Sequence, residues 1–226
     1  SNSNSYHFAS GEFKPFTSKD MSSGGATTEI VQKIISAMGD QADISYLPWQ
    51  RGFIKTQKGD FFGIYPYSIS KERQETWNYS LPLYQLEETI FVKKARNFRY
   101  SKPADMKGLT ICKPVGYNLF GLKALVQEGI INIERPPDLK SCFLMLDIDR
   151  VDIVVTNSNT AWSMIKSLRL DASEFKQIDK PFEKMSHHFI VPKTNPDAES
   201  FLKQFNKALF QLKKDGTVDK IMSKHL

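Results

Sequence analysis

Short apolar stretches that fit strands alternate with amphipathic stretches that fit helices, and this alternation passes along the chain twice. No other feature limits the fold as much. Strands linked through helices by short connections pack as mostly parallel sheets with helices on their faces. The first series has strands at Tyr6–Ala9, Ile44–Leu47 and Phe61–Tyr65, and helices at Thr28–Met38 and Arg51–Lys58. Ile30, Val31, Ile34, Ile35 and Met38 share one helical face, and Gly39 stops that helix. Ser70 is placed to cap a short helix ending at Glu75.

The second series begins near residue 105 and runs to about 180. It has strands at Leu109–Cys112, Ile131–Glu134 and Asp152–Val155. The pattern predicts helices from an Asn118 cap to Glu128, over Asp138–Leu146 and over Asn159–Ser167. Thr89–Lys93 and Phe189–Val191 read as further strands. A final helix is expected from an Asn195 cap with Pro196 in its first turn, ending at Asp215-Gly216. Phe201, Leu202, Phe205, Leu209 and Leu212 form its apolar stripe. The expected class is α/β in two lobes. Lobe 1 is discontinuous, residues 1–86 and 186–226, and lobe 2 is 87–185. Ligands of such sheets sit beyond the carboxyl ends of the strands.

Composition narrows the function. Hydrophobic residues at 40% and charged residues at 25% exclude a disordered or collagen-like chain. No apolar run reaches the roughly 18 residues of a membrane span, so a soluble chain is expected. The polar start Ser1–Ser5 is read as a tag remnant, with an export leader taken to have been removed. Lys and Arg exceed Asp and Glu by 31 to 25, and the excess is dispersed. Short runs such as Lys93-Lys94-Ala95-Arg96 and Lys213-Lys214 read as solvated surface, so no nucleic-acid partner is expected. Cys112 and Cys142 fit either one disulfide in an oxidising compartment or two buried thiols, the second reading slightly ahead.

The usual fingerprints of zinc peptidases, serine hydrolases and nucleotide binders are missing. His187 and His188 are adjacent, so on a strand they face opposite ways, which suits a strand-edge or hinge role better than a metal. Asp147, Asp149 and Asp152 lack the spacing and glycine of a calcium loop. Neither metal nor organic cofactor is expected.

Instead, aromatics, small polar residues and single cations gather at strand ends. Glu12-Phe13-Lys14-Pro15-Phe16, Pro48-Trp49-Gln50-Arg51 and Tyr65-Pro66-Tyr67-Ser68 follow the first three strands, with Arg73 shortly after. Lys113 to Asn118 and Thr156-Asn157 do the same in the second half. Aromatics supply a stacking surface, and an arginine can grip a planar anion through two hydrogen bonds. Several of these residues also have a plainer reading: Phe13 and Trp49 as core, Arg73 as a surface helix residue and Arg51 as a structural residue.

Several stretches, in this order, resemble a known family. Phe13-Lys14-Pro15-Phe16, Ser70-Lys71-Glu72-Arg73, Asn78 to Tyr84, Asp105-Met106-Lys107-Gly108-Leu109, Arg150 to Val155 and Lys213 to Ile221 carry the likeness. The chain resembles bacterial extracellular solute-binding proteins of the polar-amino-acid type, which serve ABC transporters, in a branch with Pro-Trp-x-Arg at Pro48–Arg51. The resemblance implies a type II periplasmic-binding-protein-like fold with two hinge connectors. It also implies a periplasmic monomer that delivers amino-acid-like or carboxylate-bearing solutes to a membrane ABC permease.

The resemblance implies these ligand residues: Phe13 and Trp49 as walls, Ser68 and Arg73 for a carboxylate, and Lys113, Tyr117 and Asn118 from the second lobe. Asn157 stands where amino-acid binders carry the Asp that pairs with an ammonium. Glu12 is a substitute acid, and Tyr65 reshapes the pocket. Two rival functions use the same fold. A prephenate or arogenate dehydratase-like enzyme would need Glu12 as its acid or base, and a sensor module would signal closure to a membrane kinase.

Overall fold

Strand β1 (Ser5–Ser10) lies between β2 (Gln41–Tyr46) and β3 (Gly63–Tyr67), and all three run parallel. These elements come from a computed structural model that describes residues 2–226. The chain divides into two compact units. Unit 1 is the chain up to Gln85 together with Ser186–Leu226, and unit 2 is Leu86–Met185.

In unit 1, helices α1 (Ala26–Ala37) and α2 (Trp49–Gln57) connect the parallel strands. After the short α3 (Lys71–Gln74), strand β4 (Trp77–Tyr79) forms on the strand labelled β10 (Glu183–Pro192), which also pairs antiparallel with β3. Helices α7 (Ala198–Lys214) and α8 (Thr217–His225) complete the unit. Phe8, Phe189 and Phe205 are fully buried, and the Phe189 ring lies 4.7 Å from Phe8 and 5.0 Å from Phe205. Gly63 makes that packing possible, because a Cβ there would stand 2.4 Å from the Phe189 ring. Truncating a buried ring of this kind costs about 3–5 kcal/mol.

Unit 2 has its own sheet. Strand β6 (Thr110–Cys112) lies parallel to β7 (Asn132–Glu134) and β8 (Ile153–Thr156). Strand β5 (Tyr84–Lys93) pairs antiparallel with β8 and with β9 (Phe175–Gln177). Helices α4 (Leu122–Gln127), α5 (Leu139–Asp147) and α6 (Ser158–Ser167) bury their apolar faces against it.

The α/β class is the one the alternation implies, and three local expectations change. Asn118 does not start α4. Its side chain accepts from the Phe120 amide, and Phe120 has φ +51, so the helix cannot begin before that residue. The final long helix starts at Ala198, because Asn195 forms a separate turn with Oδ1 on the Asp197 amide. The cysteines are not thiols: Cys112 and Cys142 form a disulfide with Cα atoms 5.5 Å apart, tying the end of β6 to α5.

Both histidines of β10 are buried and neither is near a metal cluster among the described residues. His187 Nδ1 lies 2.7 Å from Tyr84 Oη, which in turn lies 2.5 Å from Thr27 Oγ1. His188 Nδ1 meets the Ser80 carbonyl, and its Nε2 meets Ser186 Oγ. Burial, with a smaller contribution from His188, pulls the His187 pKa down from 6.5 to about 3.

Two predictions follow from unit interiors. Replacing Cys142 with alanine releases a cross-link over 30 residues and should cost unit 2 about 3–4 kcal/mol in urea denaturation. The neutral His187 makes stability pH-dependent. Above pH 6.5 neither folded nor unfolded chain protonates it, so its effect is absent there. Between 6.5 and about 3 only the unfolded chain takes the proton, so acid destabilises the fold. At pH 5 the loss from this group should be about 2 kcal/mol, and His187→Gln should flatten that slope in urea titrations at pH 7 and pH 5.

Candidate functional site

Because β1, β2 and β3 are parallel, the loops after them emerge on one side of the unit 1 sheet. The structure joins their candidate residues into one line of contacts. Trp49 Nε1 donates to the Glu12 carbonyl at 3.2 Å. Its ring sits against Gly11, where a Cβ would come within 2.6 Å, so only glycine leaves room for the indole. The Trp49 ring meets Tyr67 edge-on at 6.0 Å between centroids. Tyr67 in turn lies under the Arg73 guanidinium, 4.6 Å from carbon to ring centroid.

Arg73 is positioned by its own helix. Ser70 Oγ accepts from the Arg73 amide, capping α3 as its sequence position suggests. Arg73 Nη1 donates to the Ser68 carbonyl at 2.7 Å and to Tyr79 Oη at 2.8 Å. Tyr79 Oη also donates to the Ser68 carbonyl, which closes a small ring of bonds. Both hydrogens of Nη1 are therefore used. The Nε–Nη2 edge has no partner among the described residues, and no carboxylate pairs with Arg73 there. This is the edge that receives a carboxylate with two parallel bonds.

The other unit 1 candidates divide. Ser68 is exposed, and its hydroxyl is available beside Arg73. Phe13 is half-buried, with its ring 5.0 Å from Phe16 and 5.7 Å from His187. Glu12 is exposed, and its Oε1 accepts from the Lys19 amide. Tyr65 is fully buried with its hydroxyl 2.9 Å from Thr28 Oγ1, so its side chain serves the interior rather than a surface. Burial pushes its hydroxyl pKa far upward. Arg51 is exposed on α2.

In unit 2 the strand ends again gather the candidates. Lys113, directly after β6, is 3% exposed. Its Nζ pairs with Glu88 Oε1 at 3.1 Å and donates to the Val155 carbonyl at 2.9 Å. The same ammonium lies 6.0 Å from the centre of the Tyr117 ring. Glu183 Oε2 accepts from the Gly121 amide at 3.0 Å, and burial, then repulsion from Glu88, raises the Glu183 pKa. Asn118 is exposed and its Oδ1 is used in the local turn. Asn157 Oδ1 accepts from the Thr160 amide and caps α6.

Sequence reasoning missed Tyr67 as the platform under Arg73, Tyr79 as its brace, and Glu88, Arg135 and Glu183 in unit 2. Tyr67 was visible within the strand-end motif, one residue before Ser68. Tyr79 lies only six residues from Arg73, but nothing in the pattern marks it as a partner, and Glu88, Arg135 and Glu183 emerge only from pairings across about 20 to 60 residues.

With this geometry in view, comparison with known proteins supplies the class. Residues 8–226 match the family model described as bacterial extracellular solute-binding proteins, family 3. The chain belongs to that family and is a solute-binding protein. It is 26% identical over 96% of its length, and 81% of the relative's, to "Probable amino-acid-binding protein YxeM" of Bacillus subtilis (strain 168). The L-cystine-binding protein TcyA of the same organism is 23% identical over 95% of this chain and 78% of its own. Among solved structures, substrate-binding domain 2 of Lactococcus lactis GlnP matches with a TM-score of 0.68 at 22% identity. That match covers 98% of this chain and 95% of the other. It supports the two-lobed binding-protein fold that the sequence resemblance implied. Among the described residues no helix is long and apolar enough to cross a membrane.

The cap at Asn157 gives a direct check. Asn157→Ala should lower stability by about 1 kcal/mol in urea denaturation, whereas Asn157→Asp keeps the cap and should stay close to wild type.

Proposed function

We propose that this protein captures an amino-acid-like, carboxylate-bearing solute outside the cytoplasmic membrane and delivers it to an ABC-type permease, without chemical turnover. The single observation that carries this reading is the free Nε–Nη2 edge of Arg73, held over Tyr67 beside Trp49 and Ser68. A solute carboxylate would receive two parallel bonds from that edge, and the Ser68 hydroxyl is a further donor. The Trp49 and Tyr67 rings lower the local water content, which strengthens each charge-assisted bond. Arg73 needs no reorganisation to do this, because Ser68 and Tyr79 already hold its other nitrogen. The names of the relatives, amino-acid-binding and L-cystine-binding, agree with a solute of this kind.

A thermal-shift panel of the common amino acids and cystine tests the reading, because a ligand at a hundred times its Kd stabilises by about 2.7 kcal/mol. For the panel member with the largest shift, Arg73→Ala should weaken binding by about 2 kcal/mol, roughly thirtyfold, in calorimetry. The urea midpoint should stay near wild type. Unchanged affinity would remove Arg73 from the site.

A further inference from the structure

Register places Arg135 beside the unit 2 loop. Cys112 of β6 is paired with Glu134 of β7, so the residues that follow, Lys113 and Arg135, leave the sheet side by side. The main chains stay linked past the strand ends. The Lys113 amide donates to the Glu134 carbonyl at 3.0 Å, and the Val115 amide to the Pro136 carbonyl at 2.9 Å. The loop then turns, with Gly116 at φ +86 and the Tyr117 amide donating back to the Pro114 carbonyl.

Three carbonyls of this loop converge on one guanidinium. Arg135 Nε donates to the Lys113 carbonyl at 3.2 Å. Its Nη2 donates to the Pro114 carbonyl at 2.7 Å and the Tyr117 carbonyl at 2.6 Å. One edge of the guanidinium carries three hydrogens, and each has its own acceptor. Among the described residues no carboxylate forms an ion pair with Arg135, so its charge is balanced at close range by these carbonyl dipoles alone. Drawing the carbonyls inward also sorts the loop's hydrogen-bonding groups. The amides of Gly116 and Asn118 make no hydrogen bond among the described residues.

We propose that Arg135 is the positioning residue of the solute-binding loop: it clamps Lys113–Tyr117 in one conformation, so that the loop's free amides and the Tyr117 ring are in place before a solute arrives. This rests on the proposed function and takes this loop as one that contacts the solute, because it leaves the carboxyl end of β6, where ligands of such sheets sit. Without the clamp, ordering the loop would be charged against binding. A planar fork with three fixed donors suits the task, and the three rotatable donors of a lysine ammonium, on one centre, cannot span the same carbonyls equally well.

Hydrogen exchange on the solute-free protein tests the clamp directly. Arg135→Ala should speed exchange of the Val115 and Tyr117 amides at least tenfold, with the amides of β6 and β8 and the urea midpoint unchanged. Calorimetry with the amino acid giving the largest wild-type thermal shift should show at least tenfold weaker binding for Arg135→Ala, with partial recovery in Arg135→Lys. A uniform loss of protection through unit 2 in Arg135→Ala would shift the comparison to Arg135→Lys, which keeps the charge. Unchanged loop exchange in either variant overturns the clamp, and faster loop exchange with unchanged affinity overturns its role in binding. If no amino acid in the panel stabilises the wild type, the proposed function fails, while the exchange measurement still decides whether Arg135 holds the loop.

Discussion

Parallel pairing is the constraint on which both halves of this protein depend. A parallel strand must be followed by a crossover before the chain can return, so each strand's carboxyl end opens into a loop on the same side of the sheet. In unit 1 this brings the loops after β1, β2 and β3 together, and with them Glu12, Trp49, Tyr67 and Arg73. In unit 2 the same rule sets Lys113, Arg135 and Asn157 at the ends of β6, β7 and β8. Residues scattered over the sequence become neighbours because strand direction leaves them no other place.

The two arginines show how such a loop cluster is made rigid. Arg73 uses one nitrogen for structure, on Ser68 and Tyr79, and keeps an edge open. Arg135 commits an edge to the main chain and opens nothing on it. The difference follows from their acceptors. A single carbonyl and a phenol oxygen at one nitrogen leave the planar edge free, whereas three carbonyls wrapped around the edge fill it. Lys113 falls between these cases, since its ammonium is buried and held by Glu88 and Val155.

Much of the fold was legible because helix and strand periods differ, and α1, α5 and the β8 strand lie within a residue or two of where their apolar patterns put them. The misses have local causes. Phe120 adopts a left-handed backbone that no apolar pattern announces, so α4 starts late. Strands β4 and β9 are three residues each, too short for a period, and exist because β10 and β5 offer them hydrogen bonds. The disulfide was one of two open readings, since spacing alone does not say whether two cysteines meet. At the site, Arg73 and Trp49 stood out by type and place. Tyr65 had the same signature, yet its strand position turns the ring into the core. Partners such as Glu88 and Glu183 depend on contacts made across the fold.

Unit 1 is written in two pieces of sequence, and this sets an order of events for a chain that is made from its amino end. Unit 2 occupies one unbroken stretch, so all its strands can be available while the rest is still emerging. The earlier piece of unit 1 must wait, since β3 lacks its antiparallel neighbour and the Phe8 ring lacks Phe189 and Phe201 until residues 186–226 arrive. The last turn adds its own latch when Lys224 and His225 reach Glu29 on α1. Until then an unfinished sheet edge and a bare aromatic face are open to anything nearby, and that interval is when a nascent copy is most exposed to escort by chaperones or loss to proteases.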